Sequence, residues 1–128
     1  MSYHFSRQLK LSMADAEKRV VARLAEEGFG VLTEIDVQAT LKKKLGAEFT
    51  PYKILGACNP HFAYQALQVE PHIGTMLPCN VILRGTTEGS VEVSAVDPLA
   101  SMQAIDNPEL GAVATQVRDK LKHVIDTL

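Results

Sequence analysis

Cys79-Asn80-Val81-Ile82-Leu83-Arg84-Gly85-Thr86-Thr87-Glu88-Gly89-Ser90-Val91-Glu92-Val93-Ser94-Ala95-Val96 reads as two strands joined by a tight turn. Aliphatic and β-branched residues fill both arms, Cys79 to Thr86 and Ser90 to Val96, and Thr87-Glu88-Gly89 supplies the hairpin turn. Arg84, Glu92 and Ser94 interrupt the apolar runs. Such alternation suits a sheet with one face in water, whereas strands of a parallel sheet covered on both faces are apolar almost throughout. A mixed or parallel sheet built from crossovers also fits the order of elements. The interruptions favour the other architecture, an α+β fold with a largely antiparallel sheet and two long helices on one face.

Three more strands and their helices lie upstream of this hairpin. Tyr3, Phe5, Arg7 and Leu9 alternate with His4, Ser6 and Gln8 in a first strand suited to a sheet edge. Ser12-x-x-Asp15 then opens a helix whose apolar stripe runs through Met13, Ala16, Val20, Val21 and Leu24 and stops at Gly28. Phe29 to Ile35 forms the second strand. Asp36 can cap a short helix that turns Val37, Leu41 and Leu45 inward and ends at Gly46. Its last turn carries Lys42-Lys43-Lys44, cations that complement a helix C-terminus and are otherwise solvated. Tyr52 to Cys58 is the third strand, and Pro60 to Glu70 a helix that follows it. At the other end, Asn107-Pro108-Glu109 starts a long helix with an apolar stripe from Leu110 to Leu128, which must lie on a sheet. The sheet is thus five-stranded, with short helices inserted after its second and third strands.

The chain of 128 residues has the size of one domain, 1–128, and its 46% hydrophobic and 22% charged residues are those of a globular protein. Thirteen basic against fifteen acidic side chains leave a formal charge of -2, so no whole-molecule positive field gathers nucleic acid or anionic membrane. Met1 to Arg7 lacks the basic start and apolar run of a secretory signal, and no apolar stretch approaches the ~20 residues that span a bilayer. A cytoplasmic protein with two reduced thiols is expected.

Those thiols occupy the one unusual constellation. In Gly56-Ala57-Cys58-Asn59-Pro60-His61 a cysteine sits one residue before the cap of a helix that Pro60 starts, where unpaired amides and the helix dipole favour a thiolate. Leu77-Pro78-Cys79-Asn80-Val81 repeats the Cys-Asn step at the start of a strand. If the third and fourth strands are antiparallel, Cys58 and Cys79 approach each other with Asn59 and Asn80 beside them. Against this, free cysteine commonly packs as a small hydrophobe, and capping alone explains Asn59. His61 and His72 are the nearby candidates for metal ligands, but neither spacing is a zinc pattern, so no metal site is expected. Glu34 and Asp36 project to one side of the second strand, where two carboxylates can act as acid and base or bind a cation. Asp36 is equally a helix cap and Glu34 a solvated group. No phosphate loop, nucleophile elbow or Ser-His-Asp order is present.

Gly28 to Asp36, Tyr52 to Pro60, Glu70-Pro71-His72-Ile73-Gly74 and Leu77 to Val81 together resemble the prokaryotic domain-of-unknown-function family number 302 over nearly the whole chain. The resemblance implies a strand-helix-four-strand-helix core, an antiparallel sheet of the TATA-binding-protein-like kind, and homodimers. It does not imply DNA binding, since fold is not function and the charge opposes it. Glu34, Asp36, Cys58, Asn59, Pro60, Pro78, Cys79 and Asn80 match the family's signature positions, whose role is not established. His61 and His72 fall where the pattern is not fixed on histidine.

Two functions follow as expectations. One is thiol-dependent redox or small-ligand capture, with Cys58 as the activated thiolate, Cys79 as its partner, and Glu34, Asp36, Asn59, Asn80 and His61 around a ligand. The other is a noncatalytic homodimeric binding or structural module with buried, inert cysteines. A hydrolase or isomerase using Glu34 and Asp36 is a third option, for which the residues supply no nucleophile. None of the three names a cofactor.

Overall fold

Local sequence signals set the elements of the computed structural model, which describes residues 2–128. Strand β1 is His4–Leu9, followed by helix α1, Met13–Glu26, which opens where Ser12 accepts a hydrogen bond from the Asp15 amide at 3.1 Å. Strand β2, Gly30–Asp36, runs into helix α2, Val37–Leu45, and strand β3 is Tyr52–Cys58. Helix α3, Pro60–Val69, leads through a 3-10 turn at Pro71–Met76 to strands β4, Cys79–Gly85, and β5, Val91–Val96. A four-residue helix α4, Pro98–Ser101, precedes the long α5, Pro108–Asp126. The sequence reading missed the 3-10 turn and α4. Each begins with proline at its first helical position, a signal that could have revealed both.

The strands form one five-stranded sheet in the order β1-β5-β4-β3-β2, with every neighbouring pair antiparallel. Thus the α+β reading holds, and β1 lies at an edge as its alternation suggested. Helix α1 carries the polypeptide from one edge to the other, after which β2 to β5 return strand by neighbouring strand, with α2 and α3 inserted between them.

Side chains alternate between the two faces. On the inner face Leu55, Ala57, Cys79, Val81, Leu83, Val91, Val93 and Ala95 are all buried, against Val20 and Leu24 of α1 and Leu121, Val124 and Ile125 of α5. Each fully buried Leu, Ile or Val among them contributes about 1.5–3 kcal/mol of transfer free energy. A smaller cluster of Ala66, Ile73 and Leu110 joins α3 and the 3-10 turn to the start of α5. Among the described residues no helix covers the opposite face, where Arg84, Glu92 and Ser94 lie.

One expectation is corrected. Helix α2 forms with its foreseen caps, Asp36 accepting from the Ala39 amide at 2.9 Å and Gly46 left-handed at φ 65°. Yet it buries nothing: Val37 and Leu41 are only half-buried and Leu45 is 75% exposed. The reason is topological. The inner face is already occupied by α1 and α5, and α2 packs chiefly beside β2 and β3 at the sheet margin.

Gly56 marks the tightest point of the frame. A Cβ there would lie 2.1 Å from Thr33 Oγ1 and 2.6 Å from Pro78 Cγ, since both side chains cross above it. Gly56→Ala is therefore expected to lower stability by about 1–3 kcal/mol through overpacking. Urea unfolding reads this directly, and an unchanged midpoint would disprove the close approach.

Candidate functional site

Antiparallel pairing of β3 with β4 brings the two Cys-Asn steps together. Ala57 stands opposite Cys79 and Gly56 opposite Asn80, so Cys58 and Cys79 are diagonal neighbours, one position out of register. That offset has a chemical consequence. Strand alternation groups Cys79 with Ala57 on the inner face, and Asn80 with Gly56 on the outer one. A disulfide requires converging Cβ atoms, and both cysteines are free.

Cys79 is 7% exposed and belongs to the main hydrophobic core. Burial pushes its thiol up from the usual 9.0 to about 11, and the neighbouring Cys58 adds to the shift. At neutral pH Cys79 is therefore a protonated, apolar side chain. Cys58 is half-buried at the strand end. Both cysteines border a narrow cleft with Phe29, Phe62, Pro78 and Val117, whose volume is about 40 Å³. Such a space holds one or two waters, whereas pockets for organic ligands measure roughly 300–1,000 Å³.

Asn59 differs from the cap foreseen for it. It occupies the N-cap position of α3, but its side chain makes no capping bond there. Its Nδ2 instead donates to the Glu27 carbonyl at the end of α1, at 3.3 Å. A carboxamide that is 8% exposed thus ties two helix termini together. Gly28, at φ 86°, makes room: a Cβ on it would sit 3.1 Å from that same nitrogen. The Glu27 carboxylate in turn reaches Lys120 at 3.5 Å and His123 at 3.6 Å on α5.

Glu34 and Asp36 do share one side of β2, opposite Leu55 and Lys53. Each has a partner. Lys53 Nζ lies 2.7 Å from Glu17 Oε1 and 2.5 Å from Glu34 Oε1, and these hydrogen bonds, first to Glu17 and then to Glu34, raise the lysine pKa and keep it charged. Asp36 caps α2. His61 is exposed on the first turn of α3, and His72 is exposed with only Glu70 nearby, at 3.8 Å. Among the described residues no group of three His, Cys, Asp or Glu side chains could hold a metal ion. No helix there is long and apolar enough to cross a membrane.

Asn80 alone of the Cys-Asn residues faces a larger space. On the uncovered face it borders a groove of about 650 Å³ with Tyr52, Ile82, Arg84, Glu92 and Ser94. A chain of hydrogen bonds runs along this groove. His4 Nδ1 and Ser6 Oγ are 2.7 Å apart, Ser6 Oγ and Ser94 Oγ 2.7 Å, and Arg84 Nε donates to Glu92 Oε1 at 2.9 Å. Sequence reasoning used Arg84, Glu92 and Ser94 only as marks of a solvated face. Their common parity with His4 and Ser6 on paired strands was the available signal.

No curated protein matches the sequence. The chain is similar to the crystal structure of uncharacterized conserved protein DUF302 from Bacillus stearothermophilus, with a TM-score of 0.90 and 28% identity over 98% of each chain. A family model described as Domain of unknown function DUF302 matches residues 5–128. Fold and this match over nearly the whole length agree, and the chain belongs to the DUF302 family.

Proposed function

We propose that this chain is a noncatalytic homodimeric binding module whose cysteines are structural. One observation carries the reading: four of the signature side chains are already engaged in holding the frame. Asp36 caps α2, Glu34 meets Lys53, Asn59 bonds the end of α1, and Cys79 packs in the core. A redox pair needs an accessible thiolate, and burial holds the Cys79 thiol protonated in the core. The reading takes residues 1–128 as a single domain acting in the cytoplasm, where free thiols persist.

A dimer is supported by what α2 leaves uncovered. Leu32, Ile35, Leu45 and Phe49 are all exposed along the β2–α2 margin, next to an edge strand with unpaired backbone groups. A second copy seated there would bury this apolar surface.

Two measurements test the proposal. The Cys79 thiol is held neutral by burial, so its contribution to stability is full below about pH 9 and is lost as pH rises through about 11. A loss of about 2–3 kcal/mol is expected over that window, and Cys79→Ala should flatten it. In the native state at neutral pH, Cys79 should resist iodoacetamide; rapid modification would sink the structural reading. Separately, sedimentation should find a dimer that Leu45→Glu converts to a folded monomer. A wild-type monomer would end the homodimer, and an undisturbed Leu45→Glu dimer would move the interface elsewhere.

A further inference from the structure

We infer that the groove on the uncovered sheet face is a binding site for a small elongated carboxylate with an aromatic body and a polar far end. The carboxylate end is assigned by Arg84. Its Nε is committed to Glu92, which holds the guanidinium in place, while both Nη groups have no partner among the described residues. That free edge presents two parallel N–H donors, the fork that recognises a carboxylate. Glu92 does not compete for them. Its oxygens already accept from Arg84, from Gln8 Nε2 at 3.5 Å and from Ser94 Oγ at 3.5 Å.

The body and far end follow from spacing. Ile82 lies between Arg84 and Asn80 on the same face of β4 and floors the groove, with Tyr52 directly across from Arg84. Arg84 and Asn80 are four residues apart, about 13 Å at the rise of a strand. Once each side chain reaches inward, a ligand of two-carbon linker plus ring length bridges them. The Asn80 carboxamide has no hydrogen-bond partner among the described residues and can meet a hydroxyl or carbonyl there. The groove volume of about 650 Å³ fits such a molecule, where the thiol-lined cleft of about 40 Å³ does not. Rigidity is built in, because Ser94 is 6% exposed and locked between Ser6 and Glu92.

The test titrates the full chain with 3-(4-hydroxyphenyl)propionate while following side-chain amide and Arg Nε resonances by NMR. Saturable shifts at Arg84 and Asn80 are expected, with the corresponding amide binding about tenfold more weakly, as loss of a charge-assisted pair implies. Arg84→Gln should abolish the difference between acid and amide. Asn80→Ala should abolish the difference between the hydroxylated acid and 3-phenylpropionate while keeping the carboxylate preference. Both positions are exposed, so the variants retain the fold, which their spectra verify. Equal binding of acid and amide, shifts confined to the helical face, or no shifts at all would each overturn the inference. So would shifts of the same resonances with protein concentration alone, which would give the groove to a second copy.

Discussion

The register between β3 and β4 is the constraint on which the rest depends. With Ala57 opposite Cys79, the period of two along a strand decides the side of every later residue. Leu55, Val81 and Leu83 enter the core, Cys79 follows them, and Asn80 goes the other way. A shift by one residue would send Leu83 into water and bring Arg84 under the helices, at a cost no other interaction here could offset. Gly56 pins this register, because Thr33 and Pro78 leave it no room for a side chain.

A second junction fixes the helices to that sheet. Glu27 ends α1, and its carbonyl receives Asn59 while its carboxylate faces Lys120 and His123. The buried amide bond is the stronger part of this junction. A satisfied buried group contributes on the order of 1 kcal/mol, and its loss would leave a carbonyl unpaired, whereas the half-exposed ion pairs contribute little. The end of α1, the start of α3 and the middle of α5 are thereby held together, and the narrow cleft beside Cys79 results from their packing. It is a seam between elements rather than a chamber.

The two faces of the sheet have divided the chemistry. Inside, aliphatic residues and one protonated thiol exclude charge. Outside, a line of hydroxyl, imidazole, carboxylate and guanidinium groups is joined by hydrogen bonds across β1, β5 and β4. An antiparallel sheet covered on one side permits this arrangement, since its outer positions can be polar at a small desolvation cost that hydrogen bonds offset. Covering the whole face with a further helix would have required those positions to be apolar.

By itself the sequence determined the local elements, because their causes are local. Ser12, Asp36 and Asn107 precede helices, Gly28 and Gly46 end them, and the polar residues in 79–96 announced a sheet with one wet face. It also brought the Cys-Asn steps to neighbouring strands, through the antiparallel pairing it favoured. Only the tertiary structure decided what those steps face, since one position of register separates Cys79 in the core from Asn80 on the outer face. The same holds for Asn59, whose amide serves a helix end 32 residues earlier in the chain, and for α2, whose apolar stripe found the inner face already filled. Pairing partners and available space are properties of the assembled fold, and no periodicity within a single segment encodes them.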